Sequence, residues 1–307
     1  MVEDFLVLLV AGGVRLATPL LLAALGETIS EKSGVMNLSI EGLMSLAAFV
    51  AYTAAVQTQS QGLGLMSALL LGLLWGLLFA FVTVTLHGNQ IVMGFSFFIF
   101  AAGLSAFLFR ASYGTSLIPQ TIPSLQPIRL PLLADLPVIG VILFSQNIFT
   151  YGTVVLVPLI YYLLFRTRWG LKVRAVGDNP RAADAQGVNV YRVRYVAVLL
   201  GSLAASAAGA YLVLDVGFFR ENMVAGRGFL SLAIVIFGNW NPIRTLIGAI
   251  IFGTTDSIQI GLQILQVPIG YNILQTLPYV LTIVVLIILT RRAAVPGSLT
   301  QPYRRGE

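Results

Sequence analysis

The chain has 307 residues, of which 57% are hydrophobic and only 10% charged, with a formal net charge of +6 and a mean hydropathy of +0.90. Soluble domains carry about 25% charged residues, so the composition describes an all-α polytopic membrane protein and excludes an ordinary soluble enzyme. There is no cysteine and one histidine, His87, which excludes thiol chemistry and zinc centres. The positive charge is a topology signal and does not imply nucleic acid, because eleven of the 18 basic residues lie within 166–194 or in the tail from Arg291.

A membrane-spanning helix needs about 20 apolar residues. In chain order the candidates are Phe5–Gly26, Leu38–Val56, Leu65–Leu86, Ile91–Phe109, Ile148–Phe165, Tyr195–Asp215, Met223–Gly238, Thr245–Leu262 and Thr276–Thr290. The first follows Glu3 and Asp4, whereas a signal peptide begins with basic residues, so it is read as a retained span. Arg166, Arg168, Lys172, Arg174, Arg181, Arg192 and Arg194 place the 166–194 loop in the cytoplasm. Counting outward makes 111–147 an external loop, with Arg129 and Asp135 as its only charges, and leaves the Arg291, Arg292, Arg304, Arg305 tail inside. The amino terminus is then external, the chain is one transmembrane domain over 1–307, and eight to ten crossings are expected.

Two candidates are flawed as spans. Polar residues, glycines and Glu41 crowd Ser33–Gly42, and Gly226-Arg227-Gly228 precedes an apolar run, Phe229–Phe237, too short to cross. Gly42-Leu43-Met44-Ser45-Leu46-Ala47 resembles Gly228-Phe229-Leu230-Ser231-Leu232-Ala233, and the number of crossings between them points the copies in opposite directions. Broken helices related by an inverted repeat are therefore expected, flanking a pathway near the midplane.

Charged groups within spans are costly and invite a functional reading. Glu41 is either a substrate contact or a carboxylate capping backbone N–H groups. Asp256, Gln259, Gln263 and Gln266 share one helical face, which either lines a pathway or bonds helices together. Arg15 lies within the first span, with Glu41 as a candidate partner. His87 reads as an interfacial residue.

The 166–194 loop contains one short helix with both ends marked. Asp178 or Asn179 can cap it, Pro180 suits the first helical position, Arg181, Ala182 and Ala183 follow, and Gly187 suits the left-handed residue after its end. A stiff capped helix outside the membrane is suited to a protein partner. No phosphate-binding loop, nucleophile–base pair or metal cluster is present, so the chain itself is not expected to catalyse a reaction or hold a cofactor.

Four blocks in order carry a family resemblance: Gly34–Met44, Gly88–Gly94, Val176–Ala183, and Gly226–Ala233 with Phe237–Pro242. They resemble the permeases of ABC importers for branched-chain amino acids, sugars and nucleosides. The Asn37…Glu41-Gly42 version is similar to the shorter permease of the nucleoside branch, which depends on a purine-nucleoside-binding lipoprotein. The resemblance implies that Asn179–Gln186 is a coupling helix docking on a separate ABC ATPase subunit, which binds ATP and Mg. It also implies a second, longer permease, an extracytoplasmic substrate-binding lipoprotein and the bacterial cytoplasmic membrane, with membrane lipid around the bundle and no nucleic acid. A small neutral substrate such as a nucleoside needs amides, hydroxyls and an aromatic wall. Asn37, Ser39, Ser45, Asn89, Gln90, Gln259 and Gln263, with Glu41 and Asp256, are the candidate pathway residues. A ribose-like sugar or a branched-chain amino acid remains an alternative substrate. An ion-coupled secondary transporter, using Glu41 and Asp256, remains the alternative mechanism.

Overall fold

A backbone crossing lipid finds no water and must satisfy its N–H and C=O groups internally, so long apolar runs become helices. The computed structural model describes residues 2–114, 120–129, 131, 133–267, 270, 273–274, 276–289 and 294–305. Among them, seven helices are long and apolar enough to cross a membrane. These are α1 (Val2–Lys32), α2 (Ile40–Thr58), α3 (Gln61–Ala80, prolonged by a π-helical turn over Phe81–Thr85), α4 (Gln90–Tyr113), α6 (Ile148–Arg166), α9 (Val190–Val216) and α11 (Pro242–Ile264). Shorter helices are α5 (Ile139–Leu143), α7 (Arg168–Asp178), α8 (Pro180–Ala185), α10 (Arg227–Phe237) and α12 (Leu277–Leu289). The loop between α4 and α6 also contains a two-residue antiparallel ribbon, β1 (Ile128–Arg129) against β2 (Ser145–Gln146).

Asparagine side chains start four of the seven long helices. Asn89 accepts the N–H groups of Ile91 and Val92, Asn147 that of Thr150, Asn189 that of Arg192 and Asn241 that of Ile243, at 2.9–3.2 Å. Each supplies an oxygen to N–H groups that the first helical turn leaves without a partner.

α1 is the central post. At about 1.5 Å per residue it is about 46 Å long, more than a bilayer core requires. The sequence ends this span at Gly26, but the helix continues to Lys32 and buries both Glu27 and Glu31 completely. It runs antiparallel to α9, with Arg15 beside Asp215 at one end and Ser33 beside Arg194 at the other. It also runs antiparallel to α11, where Gly13 meets Thr254 and Gly261 meets Leu9. Small residues allow this close approach: a Cβ on Gly26 would lie 2.5 Å from the Ala204 Cβ.

The two flawed spans are short helices whose ends meet. α2 begins only at Ile40, after the irregular Ser33–Ser39 segment, and the expected Met223–Gly238 span is reduced to the 11-residue α10. Gly228, near the start of α10, lies against the backbone of Glu41 at the start of α2. From this meeting point α2 runs towards Phe219 and Gln120, while α10 runs towards Glu31 and Thr245. The order α1, irregular segment, α2, α3, α4 is repeated with reversed direction as α9, irregular segment, α10, α11, α12. Thr290, Arg291 and Arg292 lie outside the described residues.

Candidate functional site

Glu41 closes the end of a neighbouring helix. Its Oε1 accepts the N–H of Gly226 at 2.8 Å and its Oε2 accepts that of Gly228 at 2.7 Å. Both donors belong to the start of α10, where N–H groups are unpaired and the helix dipole favours negative charge. The carboxylate therefore does the work of an N-cap residue from a helix 185 positions away. Gly226 itself is left-handed, with φ +82°.

Beside this junction lies a polar cavity of about 540 Å³ between α10, α11 and α12. Asp256, Gln259 and Gln263 of α11 line it on one side, facing Arg227 and Tyr279. The Arg227 guanidinium reaches Asp256 Oδ2 at 3.3 Å and donates to the carbonyls of Met223 and Val224 at 3.2 and 3.3 Å. The Tyr279 hydroxyl donates to the Ala225 carbonyl at 2.9 Å. Donors, acceptors and an aromatic ring thus border one volume next to a broken helix. Gln266 does not belong to this stripe, because α11 ends at Ile264 and Gln266 sits in the following turn with φ +50°.

The other candidate pathway residues are held elsewhere. Asn37 Oδ1 accepts from the Ser39 N–H and hydroxyl at 3.0 and 2.6 Å, and Trp75 Nε1 donates to Ser39 Oγ at 3.1 Å. Gln90 Oε1 accepts the Met36 N–H at 2.9 Å, while its amide nitrogen faces the Gly34 carbonyl at 3.4 Å. Asn89 caps α4, and Ser45 is bonded to Ser105 across α2 and α4. The nine candidate pathway residues are thus divided between such bonds and the cavity. Only Asp256, Gln259 and Gln263 border the cavity. The other polar groups satisfy irregular backbone or join helices, as a membrane-buried chain requires.

Arg15 is also corrected. Its guanidinium pairs with Asp215 at 2.7 Å rather than with Glu41, and Asp215 further accepts from Asn147 Nδ2 at 2.9 Å. His87 Nε2 lies 3.4 Å from the Tyr191 hydroxyl, at the edge of the bundle.

The short helix expected between α6 and α9 is present as α8. Asn179, not Asp178, is its cap, accepting the Ala182 N–H at 3.0 Å, and Asp178 ends α7. Pro180 occupies the first turn and Gly187 is left-handed at φ +81°. Ala183 packs inward, while Arg181, Ala182 and Ala185 are exposed. The tail fixes this segment from the other side: Ser298 N–H donates to the Gly177 carbonyl at 2.8 Å, and Arg305 pairs with Asp184 at 3.1 Å. A second polar cavity, of about 520 Å³, lies between α8 and the tail.

Four buried or half-buried charges escaped sequence reasoning: Glu27, Glu31, Arg194 and Arg227. The first two follow an apolar run in the i, i+4 relation, a signal that the helix continues with one face buried. Arg227 was visible only as an interruption between two glycines. Arg194 was counted among the cytoplasmic charges, yet it is 1% exposed.

Residues 9–290 match the family model for the permease component of branched-chain amino acid transport systems. The chain belongs to that permease family. Full-length relatives agree. The nucleoside ABC transporter permease NupC of Lactococcus lactis is 35% identical, over 97% of this chain and 96% of the relative. The guanosine ABC transporter permease NupQ of Bacillus subtilis is 31% identical, over 100% of this chain and 99% of the relative. TsgC13 of Haloferax volcanii, provisionally named a glucose ABC transporter permease, is 34% identical over 95% of this chain and 96% of the relative. Among solved structures, an inward-facing, provisionally assigned metal-chelate type ABC transporter shares the fold, with a TM-score of 0.52 and 17% identity over 92% of this chain and 85% of that one. The permease is thus a multi-pass membrane subunit of an ABC importer, a system that includes an ATPase and a substrate-binding component.

Proposed function

We propose that this permease moves a nucleoside inward across the cytoplasmic membrane by alternating access, driven by ATP and Mg bound on a separate ATPase. The observation that carries the reading is full-length similarity to two relatives named for nucleosides. The chemistry of the cavity at Arg227, Asp256, Gln259, Gln263 and Tyr279 supports it, since a nucleoside presents hydrogen-bonding edges and a flat ring. The volume of about 540 Å³ lies within the range of small-molecule sites. In this reading α8, from Asn179 to its end before Gly187, docks on the ATPase through its exposed Arg181, Ala182 and Ala185. The basic residues of 166–194 put α8 and the tail in the cytoplasm and the amino terminus outside. A longer second permease completes a heterodimer, and a lipoprotein delivers substrate from outside.

The test is uptake of labelled adenosine, guanosine and glucose by proteoliposomes containing the complete transporter. Saturable nucleoside uptake that requires ATP and resists a protonophore is expected. Glucose uptake without nucleoside uptake would transfer the assignment to sugars, the reading that TsgC13 favours. Protonophore-sensitive uptake by the lone chain would replace it with ion coupling.

A further inference from the structure

Glu27 and Glu31 lie one turn apart on the same face of α1, and both side chains are fully buried. Ionisable groups at such depth are unfavourable unless bonded. Each is bonded to a different broken segment. Glu27 Oε1 accepts the backbone N–H of Asn37 at 2.7 Å, and Asn37 belongs to the irregular stretch leading into α2. Glu31 Oε2 accepts from Trp240 Nε1 at 2.5 Å, and Trp240 follows the last turn of α10 and is 1% exposed. The last turns of α1 therefore hold the approach to α2 through Asn37 and the far end of α10 through Trp240, and these two helices meet at Glu41 and Gly228.

The same turns are tied to the segment carrying α8. Gly177 of α7 packs directly against the Lys32 carbonyl. Arg194 of α9 donates to the Ser33 carbonyl at 3.2 Å, to Ser298 Oγ at 3.2 Å and to the Gln301 carbonyl at 3.1 Å. Ser298 in turn bonds the Gly177 carbonyl at 2.8 Å. One guanidinium fork thus gathers α9, the end of α1 and the tail at the point where α7 leads into α8. A lysine ammonium is a single point and cannot reproduce that fork.

We propose that residues 27–34, the last turns of α1 and the turn that follows them, are the linkage through which movement of α8 reaches both broken segments, with Glu31 and Arg194 as its positioning residues. The linkage rests on the permease reading above. A displacement of α8 passes through α7 to Gly177 and the Arg194 knot, shifts the end of α1, and is delivered to α2 through Asn37 and to α10 through Trp240. Neither positioning residue touches the polar cavity.

The experiment uses the complete transporter in proteoliposomes and measures nucleoside transported per ATP hydrolysed. Glu31→Ala and Trp240→Phe each remove the bond, and should lower that ratio about fivefold to tenfold, the loss expected for one buried hydrogen bond, with ATP hydrolysis largely retained. Glu31→Gln retains an acceptor and should restore most of the ratio. Arg194→Lys, which cannot form the fork, should lower it as well. An unchanged ratio in both Glu31→Ala and Trp240→Phe overturns the linkage, as does a loss of hydrolysis and transport in equal proportion. If a variant does not assemble, distances settle the matter. The chain has no cysteine, so labels on Lys172→Cys of α7 and Asn222→Cys report the α7–α8 segment against the stretch before α10 alone. An ATP-dependent change in the otherwise unaltered labelled chain that is abolished by Trp240→Phe supports the linkage, and one that persists overturns it. A wild-type transporter that takes up no nucleoside with ATP refutes the permease reading instead.

Discussion

Glu41 and Gly228, 187 residues apart in sequence, are joined by a 2.7 Å hydrogen bond from the Gly228 N–H to Glu41 Oε2. A second bond reaches Gly226, so one carboxylate satisfies two donors at the start of a helix that begins inside the bundle. Removing it leaves two N–H groups without a partner where water is scarce. Glu41→Ala should lower stability by about 1–3 kcal/mol, and Glu41→Gln by less, because an amide can accept one of the two bonds. Thermal unfolding in detergent checks both, and equal stability of all three proteins would contradict the capping role.

Arg227 and Asp256 face each other at 3.3 Å across the polar cavity, with side chains 19% and 11% exposed. Asp256→Asn removes the counter-charge and leaves the guanidinium at most a neutral amide oxygen beside its two backbone carbonyls. Because the pair borders the proposed substrate volume, apparent KM for nucleoside should rise about tenfold, corresponding to about 1.4 kcal/mol. Uptake measured over a range of concentrations separates this from a loss of kcat. A fall in kcat with unchanged KM would place the substrate elsewhere.

Arg181 projects from α8 and is exposed. Arg181→Glu should leave insertion and thermal stability within about 0.5 kcal/mol of wild type, as for other surface changes. It should nevertheless weaken co-purification with the ATPase subunit and depress ATP-driven uptake. Intact docking and uptake in this variant would remove α8 from the coupling role.

At the opposite end of the molecule, Arg110 donates to Glu221 through two bonds, at 2.7 and 2.6 Å, joining α4 to the segment before α10. The Arg110 bond holds the Glu221 carboxyl below its ordinary pKa of 4.5. A depressed carboxylate stabilises the fold fully above its unfolded pKa, and that contribution is lost as pH falls through the folded value. The stability difference between wild type and Glu221→Gln should therefore be constant near neutrality and shrink below about pH 4.5. Arg110 is exposed and Glu221 half-buried at the surface, so the difference should be small and should decline with added salt. A difference that grows on acidification would be the wrong sign.

Gly26 faces Gly201 and Ala204 of α9 with no room for a side chain. Gly26→Val forces α1 and α9 apart and should cost about 1–3 kcal/mol by overpacking. Melting of the purified subunit measures it directly.

The spans and the capped α8 were legible because they follow from local rules. Apolar length predicts a crossing, and Asn179, Pro180 and Gly187 occupy positions that backbone geometry assigns to them. The inverted relation of α2 and α10 was legible from a short repeated motif in two imperfect spans. Contacts between distant segments were less so. Composition gives Arg15 a charge to match but nothing to choose between Glu41 and Asp215, and Asn37, Ser39 and Gln90 read as pathway candidates because amides and hydroxyls that satisfy irregular backbone have the same chemistry as those that bind a substrate. Glu27 and Glu31 were overlooked for a related reason: carboxylates normally mark the end of a span, and only the Asn37 and Trp240 donors allow them to be buried within one.

The tail from Gly297 to Arg305 lies against the end of α7 and against α8. An affinity tag or fluorescent fusion appended at the carboxyl terminus would therefore emerge beside α8, the surface proposed to dock on the ATPase, while an amino-terminal one would emerge at the far end of α1. Reagents for purification or imaging belong on the amino-terminal side, and a carboxyl-terminal fusion that expresses well yet takes up no substrate reports obstruction rather than misfolding.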